Sequence, residues 1–205
     1  VIEVEKHDAV WTLRLNRPDK ANSLTRDMLL AVEKAAEEAE RSEIAGFVLT
    51  GTGNVFSAGA DLEEARAGLA TDGIWERVSG RIARLPCLTL AALNGTLAGG
   101  AFGMALACDI RIAVPSAKFF YPVMKLGFLP QPSDPARMSA LIGPARSKMI
   151  LMASQKIDAE TALSWGLVDR VVAREALADT VAELTEAACA APAEIRKGIK
   201  QMIPG

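Results

Sequence analysis

One histidine, one tyrosine and three cysteines in 205 residues leave little material for several kinds of site. With His7 as its lone imidazole, the chain cannot supply the base of a Ser-His-Asp or Cys-His relay from any position but this one. His7 precedes the first apolar strand, which assigns it a solvated strand end. Cys87, Cys108 and Cys189 stand far apart with no C-x-x-C pair, so neither a disulfide framework nor a bound metal is expected, and a reducing, cytoplasmic setting is the default. Charge of one sign is also lacking. The 23 basic residues nearly balance the 25 acidic ones, and no Lys/Arg run reads as a tail, which excludes nucleic acid and anionic membrane as natural partners.

Long hydrophobic runs are scarce as well. The opening Val1–Lys6 is charged and alternating, unlike the basic-then-apolar start of a signal peptide. Leu88 to Cys108 carries only Thr89, Asn94 and Thr96 as polar residues and is long enough to imitate a membrane helix. Asn94-Gly95, a turn signal, splits it into two pieces too short to span. What the chain does have is a 50% apolar composition, which excludes disorder and suits one domain over residues 1–205.

The patterning is that of an α/β protein. Val10–Leu15 alternates as a half-buried strand and ends at Asn16-Arg17-Pro18. From Thr25, a candidate N-cap, Met28, Leu29, Val32, Ala35, Ala36 and Ala39 recur at helical spacing to Arg41. Gly46–Thr50, Leu88–Leu93 and Ile110–Val114 are short apolar strands of the kind covered on both faces, with a buried helix expected from Gly100 to Cys108. Strands alternating with helices imply parallel crossovers. Beyond Pro130 the pattern turns helical, over Pro144–Met152, Asp158–Ser164 closed by Gly166, and Ala176–Ala190. Residues 1–140 thus read as the strand-bearing core and 141–205 as a helical region.

Two segments carry chemistry. Phe56-Ser57-Ala58-Gly59-Ala60-Asp61-Leu62 places small residues between a strand and a forming helix, where a ligand can approach backbone N–H groups. Asn94-Gly95-Thr96-Leu97-Ala98-Gly99-Gly100 is a glycine-rich loop that leaves amides near Gly100 unshielded. Two such amides converging on one carbonyl oxygen would form an oxyanion hole.

These segments, with Asn16-Arg17-Pro18, Asn22-Ser23-Leu24, Cys108-Asp109 and Ala162–Val168, resemble the crotonase, or enoyl-CoA hydratase/isomerase, superfamily in order and spacing. The resemblance implies a fold of stacked ββα turns with a helical C-terminal part, which is expected to be shortened here relative to the family. It implies coenzyme A as part of a thioester substrate, no covalently bound cofactor, and a homo-oligomer, trimeric or a dimer of trimers. It further implies a lyase or isomerase of the kind met in fatty-acid metabolism. The thioester oxygen would sit on the amides of Ala60 and Gly100, and CoA along Lys20, Ala21 and the turn Ala58, Ala60, Asp61 and Leu62.

The departures matter more. Aligned on Asn94 and Asp109, the two glutamates of the family's hydratases fall on Gly103 and Val123, and a third acidic position, after the Gly-x-x-Pro turn, falls on Gln131. None of these moves a proton, so standard two-glutamate hydration is not expected. A malonyl-type decarboxylase, which needs no base to make its enolate, and a non-catalytic acyl-CoA binder are the alternatives. Tyr121 and Asp134 are candidate proton donors. Against those roles, Tyr121 reads first as an aromatic packed beside Pro122, and Ser133-Asp134 before Pro135 as N-cap chemistry. Glu63, Glu64, Arg66 and Lys125 read first as solvated charges.

Overall fold

The computed structural model describes residues 1–203. In chain order the elements are β1 (Ile2–His7), β2 (Val10–Leu15), α1 (Arg26–Arg41), β3 (Gly46–Gly51), β4 (Val55–Ser57), α2 (Leu62–Arg66), α3 (Ile74–Ala83), β5 (Leu88–Leu93), β6 (Thr96–Ala98) and α4 (Phe102–Leu106). There follow β7 (Ile110–Ala113), β8 (Lys118–Phe120), α5 (Val123–Leu126), α6 (Asp134–Leu151), β9 (Ile157–Asp158), α7 (Ala159–Trp165), β10 (Arg170–Val171), α8 (Leu177–Ala190) and α9 (Ala193–Met202).

The larger sheet has the order β1-β2-β3-β5-β7-β10, parallel throughout except for the antiparallel β1–β2 pair. The smaller has the order β4-β6-β8-β9, with only β8–β9 antiparallel. Each of β3, β5 and β7 is therefore followed by a short strand of the second sheet and then by helix, which is the stacked ββα arrangement. All of β3 is buried, as a strand with parallel neighbours on both sides requires. The Thr25 side chain accepts from Met28 N at the start of α1, and all six apolar positions read from its periodicity are buried.

Four features depart from the sequence reading. The charged start is strand β1, an edge strand that tolerates charge because one of its sides is unpaired; Glu5 meets Arg14 and Lys6 meets Glu38. The buried helix expected over 100–108 contracts to a 3₁₀ turn at Gly99–Ala101 and the short α4. Arg111, almost fully buried, donates to the carbonyls of Ala105 and Cys108 and so satisfies that early helix end. The helix expected from Pro144 is the second half of α6, which starts at Asp134 and kinks at Gly143 (φ 81°). The strands of the small sheet, β10 and the helices α3 and α9 were not foreseen; in the strands, two or three residues carry no readable period.

The 140/141 boundary falls inside α6, with the Gly143 kink as the nearest break, and residues 204–205 of the expected helical region lie outside the described residues. Among the described residues no helix is long and apolar enough to cross a membrane, and the 88–108 run is shared among β5, β6 and α4. Its Asn94-Gly95 turn is obligatory. A methyl on Gly95 would lie 1.9 Å from the Asn54 carbonyl oxygen.

Candidate active site

The C-terminal ends of β4 and β6 bring the two glycine-bearing segments together. Leu24 N donates to Gly59 O (2.8 Å) and Asp61 N to Leu24 O (2.9 Å), a parallel bridge that turns the N–H of the intervening Ala60 away from Leu24. Among the described residues that N–H has no protein acceptor. Gly100 is the second residue of the 3₁₀ turn after β6, a position whose N–H lacks an intrahelical acceptor. The segments touch backbone to backbone. A methyl on Gly59 (φ 92°) would lie 3.0 Å from Ala98 O and 3.5 Å from Gly100 N. Ala60 and Gly100 are both partly open to solvent. Behind Gly100 lies the Trp75 ring, which a methyl there would meet at 3.2 Å, and the ring is held by Nε1 donating to Leu69 O (2.7 Å).

Polar side chains from the other motifs fix this wall. Asn22 accepts from Arg17 N and donates to Thr52 O and Val55 O; Asn94 accepts from Gly51 N and donates to Gly53 O and Val55 O. Both Asn side chains thus satisfy the backbone of the loop between β3 and β4. Ala58 N donates to Ala21 O (3.0 Å), and Ser57 Oγ to Asn22 O (2.8 Å), so Lys20-Ala21 lies against the Ala58–Leu62 turn. Lys20, Ala58 and Leu62 are exposed there. Asp61 caps α2 with Oδ1 and takes Arg17 Nη1 on Oδ2 at 2.8 Å, and this hydrogen bond holds its carboxyl below the usual range.

The facing wall is made of side chains. Gly103, Val123 and Gln131 are all buried. Asp134, with no exposed surface, accepts from the Tyr121 hydroxyl on Oδ2 (2.8 Å), and among the described residues its Oδ1 has no partner. Burial pushes this carboxyl up to about 7, with the Tyr121 hydrogen bond and Arg137 pulling it down and Glu76 pushing it up. Burial and the Asp134 carboxyl together push the Tyr121 phenol up. Tyr121 stacks on Phe102, centroids 5.4 Å apart, and its hydroxyl oxygen accepts from Gln131 N (3.4 Å).

The N-cap expectation for Ser133-Asp134 is corrected: among the described residues no side chain caps α6. Ser133 turns to Glu76 of α3, giving both its N–H and its hydroxyl to that carboxylate, while Asp134 turns inward. Glu76 and Trp75 were missed in the sequence, where they are ordinary members of an amphipathic helix. Glu64 accepts from Arg26 N, while Glu63, Arg66 and Lys125 are exposed. His7 ends β1, exposed. Burial raises the thiols of Cys87 and Cys108 to about 11 and about 12, which removes them as nucleophiles.

Stacked ββα turns, with two strand ends meeting through glycine, define a crotonase-type protein, and comparison with known proteins places it further. The chain belongs to the enoyl-CoA hydratase/isomerase family, whose model matches residues 5–203. It is 34% identical to 4-chlorobenzoyl coenzyme A dehalogenase-2 of Arthrobacter sp, over 98% of this chain and 77% of that protein. To the short-chain-enoyl-CoA hydratase of Clostridium acetobutylicum it is 35% identical, over 88% of this chain and 72% of the relative. The crystal structure of an enoyl-CoA hydratase from Bacillus anthracis superposes with a TM-score of 0.91 at 30% identity, covering 98% of this chain and 81% of that one.

Proposed function

We propose that the protein is an enzyme that binds an acyl-CoA thioester and stabilises its enolate between the N–H groups of Ala60 and Gly100. The observation that carries this reading is the contact of Gly59 with Gly99-Gly100, which leaves the Ala60 N–H unengaged beside the end of β6. Two preorganised donors aimed at one oxygen act most strongly where water is scarce, and the thioester enolate is the anion that such a pair suits. CoA would run along Lys20, Ala21 and the Ala58–Leu62 turn, which hydrogen bonds hold side by side. The names of the relatives support the ligand class while pointing to different reactions, dehalogenation in one and hydration in another.

Neutral residues at Gly103, Val123 and Gln131 argue against hydration by two glutamates at the family's usual places. They favour, as a second reading, decarboxylation of a malonyl-type thioester, in which loss of CO₂ itself makes the enolate. The test is calorimetric binding of CoA and acyl-CoA, beside turnover of crotonyl-, malonyl- and methylmalonyl-CoA. The expected result is binding with turnover of at least one thioester, abolished in Gly100→Pro, which lacks the hole amide. Binding without turnover would leave a non-catalytic acyl-CoA binder, and absence of binding would overturn the reading.

A further inference from the structure

Gly103 lies three residues beyond Gly100, and positions so spaced stand about 5–6 Å apart on a helix. The space at Gly103 therefore lies within one helical turn of the proposed hole. That space is filled from elsewhere: a methyl on Gly103 would lie 3.0 Å from Asp134 Oδ1 and 3.4 Å from Oδ2. Asp134 belongs to α6, a different element, and its Oδ1 is buried, unpartnered and directed at Gly103. A buried carboxyl oxygen without a hydrogen bond is costly for stability, so its retention calls for a task in the site.

Resting on the reading above, we infer that Asp134 is the acid–base residue of this site: its carboxyl stands in the space vacated at Gly103 and exchanges a proton with Cα of the thioester held at Ala60 and Gly100. In the forward step the Asp134 carboxylate takes the Cα proton, and the C–H electron pair becomes the Cα–C1 double bond. The carbonyl π pair moves onto the oxygen at the two N–H groups. Return of a proton from the carboxylic acid restores the thioester. Tyr121 is a positioning residue, fixing Oδ2 by its hydrogen bond so that Oδ1 faces Gly103. The charged groups facing Asp134 are Glu76 of α3, held by Ser133, and Arg137 of its own helix; α4 presents none, only Phe102 and Gly103. The carboxyl's raised value, about 7, suits a group that must both take and give a proton near neutrality.

The experiment follows exchange of the Cα hydrogens of butyryl-CoA in D₂O by mass spectrometry, with butyryl-CoA affinity measured in parallel. The wild-type protein should catalyse exchange, with a rate that rises through pH about 7 as Asp134 deprotonates. Asp134→Asn should bind butyryl-CoA unchanged, which also reports its folding, and lose about 10²–10⁴-fold in exchange. Asp134→Gly combined with Gly103→Glu should regain part of that loss by returning a carboxylate to the same space. Tyr121→Phe, which removes a hydrogen bond to the ionised carboxylate, should move the pH midpoint upward. Exchange undiminished in Asp134→Asn, or absent in a wild-type protein that binds butyryl-CoA, overturns the inference alone. Failure of the wild-type protein to bind butyryl-CoA overturns the acyl-CoA reading itself.

Discussion

The two walls of the site are built on opposite principles. The wall at Ala60 and Gly100 offers only backbone, and its side chains are small because two chain segments must touch; a methyl on Gly59 would already press on Ala98 O at 3.0 Å. The wall at Tyr121 and Asp134 is made of side chains reaching into space that Gly103 leaves open. The first is fully anchored, its loops tied by Asn22, Asn94, Arg17 and Asp61. The second keeps a buried oxygen unpartnered. Rigid donors suit a charge that always develops at one place, whereas a proton-handling group needs a free lone pair, and in the proposed reading these two demands fall on strand ends and helices respectively.

The sharpest consequence lies in the pH dependence of stability. The ordinary value of the Asp134 carboxyl is 3.8, and burial raises it to about 7 in the fold. Between those values the folded chain holds a proton that the unfolded chain has released, so stability is full below 3.8 and is lost as pH rises toward 7. At 1.36 kcal/mol per pKa unit the loss attributable to this group is roughly 4 kcal/mol. Denaturant unfolding of wild type and Asp134→Asn from pH 4 to 8 should give curves that diverge by that order across the window, the wild type falling relative to the variant, whose neutral amide does not titrate. A constant difference would mean that the carboxyl ionises normally and that the side-chain wall is solvated.

Breaking the backbone wall should cost somewhat less and act on rate. Gly59→Ala places a methyl against Ala98 O at a φ of 92° that L-residues avoid, so the two segments must part. Displacing one of the proposed hole donors should lower turnover by about 10²–10³-fold, roughly 3–4 kcal/mol, and kcat should fall more than KM rises. An unchanged kcat in Gly59→Ala would show that the contact between the segments is not what aims the donors.

The contrast between the walls also explains what could be read from the sequence. The backbone wall leaves a trace, because close approach demands glycine and small residues at fixed places, and Gly59, Ala60, Gly99 and Gly100 advertise it. So do the helix faces and the buried strands β3 and β5, whose patterns answer to one neighbour repeated along the element. Asp134 leaves no such trace. Its role depends on α6 lying over Gly103 and on Ser133 being drawn away by Glu76 of α3, two tertiary facts that propensity reads as an N-cap. Tyr121 and Asp134 could each be suspected, but not their hydrogen bond.

The smallest effect tests the backbone wall through its anchor. Asp61 lies below its ordinary 3.8 because Arg17 donates to it and because it caps α2, the reverse of the situation at Asp134. Its contribution is therefore present above the unfolded value and lost as pH falls through the lowered folded value. Asp61→Ala removes a cap and a partly buried ion pair, a loss of about 1–2 kcal/mol in unfolding free energy. Because the same change frees the Ala58–Leu62 turn from Arg17, KM for an acyl-CoA should rise while the pH midpoint of exchange set by Asp134 stays in place. A shifted midpoint would show that the walls are coupled, and that their separation by construction does not extend to their electrostatics.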